Sequence, residues 1–381
     1  MNYIIELGKD KNEHELVNSC ALHLWQEVFN HDTRFYGSHA HLDALQRLLP
    51  GLKVDSFSPV KILPRKDGNK FQWIKIYIHE IKTVFRILKK AKREKVDNIV
   101  FLSLSSPTTF FVKKYLRLSK LNTNIFYTLH GDLQWLIQDG LGGSERLFRS
   151  LIQKNLSSAN ANEYYVVYGK TIADKLLTIC PQLKNHLLHL EHPFIHKPDS
   201  HSIPPNLLTI GAFGVISKHK NSHEVIRLAE IMHQKNAALQ FKLVGKFIDD
   251  LTYDQNAVAV IGGEHFLSRG DYEQEIEDTA WLMYLYEDRN YELIASGAFL
   301  DAILYRKPII CLRNRFFQNL FSTYNIGIMV DTLEALPDAL THLFDRSDLP
   351  EFYASCQENI QRYSNDNKLS KQVAILKSQL P

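Results

Sequence analysis

What is scarce in this chain excludes several classes at once. Its 381 residues include four cysteines, Cys20, Cys180, Cys311 and Cys356, and no C-x-x-C pair. That spacing offers neither a disulfide framework nor a zinc site, and reads as the reduced thiols of a cytosolic protein. No apolar run approaches the ~20 residues needed to span a bilayer. The opening residues, Met1–Gly8, turn polar too early for a signal peptide. The net charge of +3 is too small to imply nucleic acid as a partner. Neither G-x-x-x-x-G-K-S/T nor G-x-G-x-x-G occurs, which argues against a P-loop nucleotidase and a nicotinamide dehydrogenase. D-x-D is absent too, so no metal-dependent diphosphate clamp is indicated and no cofactor is expected.

Short apolar runs alternating with helical periodicities are abundant. Tyr3–Leu7, Leu52–Phe57, Asn98–Leu104, Asn124–Leu129 and Tyr164–Tyr168 read as strands of a first series. Leu207–Phe213, Phe241–Val244, Ala257–Ile261, Ala280–Tyr286, Pro308–Leu312 and Gly327–Val330 read as a second. Runs apolar along their whole length suit strands buried on both faces, so the pattern predicts two doubly wound parallel sheets. Ile74, Tyr77, Ile78, Ile81, Val84, Phe85 and Leu88 are expected to form the core face of one long helix. Asn221 and Glu224 read as a capping box for another. Between the series, Glu191–Pro205 holds four prolines, which disfavour regular structure, and reads as a linker. The expected domains are residues 1–195 and 205–350, with helices from about 350 to 381 returning to the first domain.

Three constellations have the residue types that anion and sugar chemistry need. The strand Leu207–Phe213 runs into Gly214-Val-Ile-Ser-Lys-His-Lys-Asn221 and then a helix. Glycine lets a backbone approach closely, a helix start offers free N–H groups, and Lys218 and Lys220 could neutralise a phosphate. The plainer alternative is a surface turn with solvated lysines. In the second, Tyr291-Glu-Leu-Ile-Ala-Ser-Gly-Ala leads into a helix expected from Ser296–Gly297 to Arg306. Exposed amides at Ser296, Gly297 and Ala298 would be a second anion device, with Glu292 before the helix and Asp301 inside it. The alternative is an ordinary helix–strand unit with Asp301 as a surface charge. In the third, the strand ending Tyr127-Thr-Leu delivers His130, Gly131 and Asp132 at its carboxyl end, where open α/β sheets bind ligands. The alternative is a histidine that merely holds a loop.

Taken in this order, the three resemble the GT-B glycosyltransferases, particularly the large retaining group of bacterial polysaccharide and glycolipid assembly. Gly214 and Lys220-Asn221 match that group's Gly-Arg … Lys-Asn stretch, with Val215 at the position of the arginine. Asp301-Ala-Ile-Leu-Tyr-Arg-Lys-Pro-Ile-Ile310 matches its Glu-Ala-x-x-x-Gly-Lys-Pro-Val-Ile ending, and Glu292 stands one position further from it than the family's first acid. His130 matches a histidine after a first-domain strand. The first loop, Gly8–Glu15, lacks the family's glycine-rich character.

The resemblance implies an α/β, GT-B chain whose two Rossmann-like domains face a central cleft. It implies a nucleotide diphosphate sugar as donor substrate and a saccharide or lipid-linked saccharide as acceptor. His130, Lys220 and Asp301 would then be catalytic. Gly214, Lys218, Glu292, Ser296, Gly297 and Ala298 would bind the donor. No metal is implied. Retention of anomeric configuration is the expectation, with Asp132 as base if the reaction inverts. A nucleotide-sugar epimerase and a non-catalytic accessory subunit of the same shape are the rivals.

One further pattern concerns location. Lys82–Lys95 carries seven basic residues against the single acid Glu94, and Lys113, Lys114, Arg117 and Lys120 follow. This is either a solvated outer helix face or a docking surface for anionic lipid on the cytoplasmic side of a membrane.

Overall fold

The computed structural model describes residues 1–64, 70–119, 121–194, 206–235, 237–265 and 267–380. It divides into two compact units: Met1–Ile195 with Leu293–Ala295 and Asn367–Pro381, and His196–Glu292 with Ser296–Asp366. Residues 195–205 of the expected linker, and Lys120, lie outside the described residues.

The first unit alternates strand and helix: β1 (Asn2–Glu6), α1 (Glu15–Val28), β2 (Thr33–Gly37), α2 (His39–Leu48), β3 (Phe57–Pro59), α3 (Lys70–Glu94), β4 (Asn98–Ser103), α4 (Ser106–Ser119), β5 (Asn124–Thr128), α5 (Gly143–Leu156), β6 (Glu163–Tyr168), α6 (Lys170–Ile179) and β7 (Leu187–Leu190). Its seven strands pair in parallel in the order β3-β2-β1-β4-β5-β6-β7. Side chains alternate across the sheet. Tyr3, Ile5, Phe101, Tyr127 and Tyr165 join one core with Val84 and Leu88 of α3. Ile4, Val100, Phe126 and Tyr164 join another with Trp25 of α1.

Two strands were not expected, and two expectations need correcting. β2 carries Arg34, and β7 is a short strand with His189 in it, so neither reads as an apolar run. Of Leu52–Phe57, only Phe57 enters a strand. On α3 the inward face is Ile76, Glu80, Thr83, Val84, Ile87, Leu88 and Ala91, whereas Ile74 and Ile78 are exposed. Glu80 can sit inside because both its oxygens are occupied, accepting from Ser105 N (3.1 Å) and Ser105 Oγ (2.7 Å) at the start of α4.

The second unit runs β8 (Thr209–Ile216), α7 (Ser222–Gln234), β9 (Gln240–Phe247), β10 (Val258–Gly263), α8 (Arg269–Glu277), β11 (Trp281–Tyr284), α9 (Asp288–Tyr291), α10 (Phe299–Leu304), β12 (Ile309–Leu312), α11 (Arg315–Phe321), β13 (Gly327–Val330), α12 (Leu336–Phe344) and α13 (Leu349–Asp366). Its six parallel strands take the order β10-β9-β8-β11-β12-β13. Each unit is thus a doubly wound sheet of Rossmann type. The last helix, α14 (Leu369–Gln379), belongs to the first unit, with Leu376 in its core and Gln379 bonded to both His189 N and His189 O. The expectation that both C-terminal helices return there is corrected for α13. Tyr353 of α13 lies edge-on to Trp281, and its hydroxyl donates to Ala280 O (3.1 Å), which fixes that helix on the second unit.

Candidate functional site

In the second sheet the chain winds outward from β8 to β9 and β10, then returns to β11 on the other side of β8. The loops leaving β8 and β11 therefore diverge, and a crevice opens beyond the carboxyl ends of those two strands. Gly214 lies at that end. The expectation of a glycine turn after Phe213 is corrected, because β8 continues to the buried Ile216. Gly214 has φ +95° and pairs with Gly245 of β9, which has φ +139°. A Cβ on Gly245 would lie 1.8 Å from the Gly214 carbonyl oxygen, so only glycine permits this approach.

Beyond Ile216 the chain turns sharply and is tied at three points. Ser217 N donates to Ser222 Oγ (3.0 Å), and Ser217 Oγ accepts from Lys220 N (3.3 Å). Asn221 adopts the left-handed conformation at φ +56°, which asparagine tolerates better than most residues. Its side chain does not cap α7, a correction to the capping-box expectation. It crosses the crevice, and Nδ2 donates to Leu285 O (2.9 Å) and Glu287 Oε1 (3.4 Å) after β11.

These ties aim Lys220 back at the strand end. Its Nζ is 3.8 Å from where a Gly214 Cβ would stand and 5.8 Å from the centre of the Tyr286 ring. Tyr286 is held face to face with Tyr291 at 4.3 Å. Among the described residues Lys220 forms no ion pair, although its charge reaches the buried Asp301 carboxylate, so its ammonium is open to an anion. Lys218 is exposed, and its backbone N donates to Asp249 Oδ2 (2.7 Å).

The segment after β11 departs from expectation. The helix expected from Ser296 to Arg306 is the six-residue α10. The amides of Phe299, Leu300 and Asp301 are used in tight turns to the carbonyls of Ser296, Gly297 and Ala298. The amides of Ser296, Gly297 and Ala298 have no backbone acceptor among the described residues, and the space beside Gly297 is open. Ala298 O accepts from Tyr284 OH (2.8 Å). Glu292 sits 3.5 Å from Arg315.

Asp301 is a buried residue, 5% exposed, and not a surface charge. Its Oδ2 accepts from Tyr272 OH (2.9 Å), Arg269 lies 4.0 Å from Oδ1, and Oδ1 has no hydrogen bond. Burial pushes its carboxyl up to about 6 against the pull of Arg269. An Asp301→Ala change would orphan a buried tyrosine hydroxyl, so it acts on the fold as well as on any ligand.

In the first unit the corresponding reversal lies between β1 and β4. The acid that ends β1, Glu6, is fully buried there. Its Oε1 accepts from Gly8 N (2.7 Å), Lys9 N (2.9 Å) and Ser103 Oγ, and its Oε2 accepts from Asn18 Nδ2 (2.9 Å). Asn18 in turn meets His41 Nε2 (3.0 Å), whose Nδ1 donates to Lys11 O (2.7 Å). A buried polar network therefore shapes the first loop, which is not glycine-rich. Burial raises the Glu6 carboxyl to about 7.

His130 follows β5, and its Nε2 lies 2.6 Å from Leu102 O at the end of β4. A carbonyl only accepts, so Nε2 carries the proton and Nδ1 presents a lone pair. Burial lowers the ring's pKa to about 4. Asp132 accepts from Ser106 Oγ (2.9 Å), and burial raises its pKa. Leu293 N donates to Gln134 Oε1 (2.9 Å) in the turn that carries Asp132.

The sign of a pH effect follows. The His130 ring titrates near 6.5 when unfolded and near 4 when folded. Between those values the unfolded chain binds the extra proton, so stability falls as pH drops from about 6.5 towards 4. His130→Gln keeps an N–H for Leu102 O and removes the titration. Its loss of melting temperature between pH 7 and pH 5 should be smaller than in wild type. An identical loss would refute the neutral ring.

No family model matches the sequence, and no curated protein matches it either. Solved structures match along its length. Anabaena Alr3699/HepE in complex with UDP-glucose aligns with a TM-score of 0.65 at 13% identity, over 100% of both chains. A glycosyltransferase from Rickettsia africae ESF-5 gives 0.59 at 12%, over 99% of this chain and 98% of that one. A UDP-glucose: anthocyanidin 3-O-glucosyltransferase in complex with UDP gives 0.56 at 11%, over 99% and 98%. The fold is GT-B.

Within that GT-B frame the sequence-predicted residues fall into two groups. Gly214, Lys218, Lys220, Glu292, Ser296, Gly297, Ala298 and Asp301 belong to the second unit, and His130 and Asp132 to the first. Gly214 and Lys220 meet at the end of β8, and Asp301 N donates to Ala298 O (3.2 Å) at the start of α10. Sequence reasoning missed Tyr286, Arg269 and Tyr272 around them, and Glu6 and Ser103 in the first unit. Glu6 had a legible signal, a lone acid inside an otherwise apolar strand. The tyrosines had none, since aromatic residues in apolar runs read as core.

Proposed function

We propose that the chain transfers a sugar from a nucleotide diphosphate donor to a saccharide or lipid-linked saccharide acceptor in surface polysaccharide biosynthesis. The observation that carries this is the cradle at the β8–β11 reversal. There a strand-end glycine, the Lys220 ammonium and the Asn221 tie converge where Rossmann sheets bind ligands. Alr3699/HepE, of the same fold, is described in complex with UDP-glucose.

In this reading Lys220 and the amides of Ser296–Ala298 neutralise the departing diphosphate, whose charge grows as the glycosidic bond breaks. Lys218 adds positive field from its exposed position. Glu292 and the Oδ1 of Asp301 accept from donor hydroxyls. Asp301 meets them from a buried site, so Arg269 and Tyr272 set its orientation. His130, neutral above pH 5, would contact the donor sugar by accepting a hydrogen bond at Nδ1. Neutralisation by Lys220 makes a metal unnecessary. The family resemblance favours retention, and Asp132 is the base if the outcome is inversion. The enzyme would act in the cytoplasm against an anionic membrane surface.

The test is turnover of a nucleotide-sugar panel with and without saccharide acceptors, read as nucleoside diphosphate released and glycoside formed. Release that depends on an acceptor is expected. Isomerisation of the donor without acceptor would replace this reading with the epimerase. Binding without any turnover would replace it with an accessory subunit, in line with Val215 at the arginine position.

A further inference from the structure

The outward faces of α3 and α4 combine two properties that rarely coincide on a solvated surface. On α3 the exposed residues are Phe71, Ile74, Lys75, Ile78, Lys82, Arg86, Lys89, Lys92, Arg93 and Glu94. At 100° per residue, Phe71, Ile74 and Ile78 share one stripe with Lys75, Lys82, Arg86 and Lys89, opposite the buried face. Three large apolar side chains thus open a face that continues as lysine and arginine. Phe71 is 77% exposed, Ile74 55% and Ile78 47%.

No carboxylate interrupts that stripe. Of the two acids on α3, Glu80 is buried against Ser105, and Glu94 accepts from Tyr3 OH and Arg34 Nη1 at the helix end. The neighbouring α4 contains no acid at all. It repeats the combination, exposing Phe111 and Leu118 (84%) beside Lys114 and Arg117. The Phe85 and Tyr115 rings stack at 5.1 Å and Lys92 Nζ donates to Ser119 O (2.7 Å), which joins the two helices into one surface.

We infer that this α3–α4 face docks on an anionic lipid bilayer, with Phe71, Ile74 and Ile78 entering the headgroup boundary while Lys82, Arg86 and Lys89 meet lipid phosphates. Charge complementarity selects the occupant: an acid-free basic face suits a negative surface. A purely ionic partner leaves the apolar residues without a use, and an interfacial helix needs both. No helix among the described residues is long and apolar enough to cross a membrane, so contact is with the surface. This deepens the membrane partner proposed above and stands apart from glycosyl transfer.

The experiment is cosedimentation of the whole chain with neutral vesicles and with vesicles holding anionic phospholipid, without nucleotide, at low and high salt. Wild type should bind anionic vesicles far more tightly than neutral ones. Each basic residue contributes roughly a factor of five near such a surface. Lys82→Glu with Arg86→Glu and Lys89→Glu should therefore lower binding more than about a hundredfold. Phe71→Ser with Ile74→Ser and Ile78→Ser should lower it at least about tenfold and leave a remainder that high salt removes. All six positions are exposed, so melting temperature should hold. Phe111→Ser with Leu118→Ser on α4 is the second variant, expected to lose binding to a smaller extent. Equal binding of wild type to neutral vesicles, wild-type binding by the apolar variants, or tighter binding to a single-stranded oligonucleotide than to vesicles would each overturn the inference. Because no nucleotide is present, failure here leaves donor binding untouched, and failure of donor binding leaves this result untouched.

Discussion

Lys220→Ala should lower turnover by about 10²–10³-fold while leaving melting temperature within a degree or two of wild type. The rate effect follows from the charge that develops on a departing diphosphate. A preorganised cation aimed at that charge stabilises the transition state more than the ground state, and deleting one such donor typically costs that factor. The small stability effect follows from the residue's surroundings. Its side chain is only partly buried, makes no ion pair among the described residues, and touches one ring, Tyr286, at 5.8 Å. Substitutions at such positions usually change stability by less than about 0.5 kcal/mol. Lys220→Arg is the informative companion. It keeps the charge but replaces a compact ammonium with a planar fork, so partial recovery is expected. A Lys220→Ala variant with wild-type turnover would remove this residue from the mechanism.

Gly245→Ala should be the most damaging small substitution near the cradle, although it adds only a methyl group. The left-handed φ of +139° strains any other residue. The new Cβ would also meet backbone, at 1.8 Å from Gly214 O and 2.7 Å from Gly214 C, and backbone in a paired strand cannot swing aside. Strain and overpacking together suggest about 4 kcal/mol. For a unit of this size that is a melting transition lowered by roughly 8–16 °C. Any fraction that folds must displace Gly214, and with it the surface Lys220 faces, so turnover should fall further than the folded fraction does. Gly270→Ala is the control. It sits in α8 with open space around it, and should be neutral or stabilising by up to about 1 kcal/mol. Calorimetric melting of both variants separates the two cases, and equal melting temperatures would contradict the close-approach account.

The second sheet was legible in the sequence because its inner strands β11 and β12 are apolar runs buried along their whole length, and β8 is nearly so. The first sheet was harder. β2 begins Thr-Arg and keeps Arg34 half-buried through its pair with Glu94, so a strand in the core layer looks polar. On α3 apolar residues lie on both faces, and periodicity alone could not say which faced inward. The deciding contact, Glu80 with Ser105, is 25 positions distant.

The site shows the same division. Gly214 and Lys220 could be found because they are local to a strand end. The purpose of Asn221 could not, since its acceptor Leu285 O lies 64 positions away and becomes a neighbour only when β8 and β11 pair. Asp301 matched a family position, yet its burial depends on Tyr272 and Arg269 of another helix. Spacing within a segment carries the first kind of information and topology the second.

The central claim, that the second unit's crevice is a diphosphate site, is tested most directly by calorimetric binding of nucleoside di- and monophosphates to the whole chain, UDP and UMP first. A charge-assisted contact to the outer phosphate is worth about 1.5–3 kcal/mol, or roughly 10–150-fold in affinity. Wild type should therefore prefer the diphosphate by at least about tenfold, and Lys220→Ala should lose most of that preference while keeping its affinity for the monophosphate. Equal affinity of wild type for mono- and diphosphate, or a preference that survives in Lys220→Ala, would contradict the account.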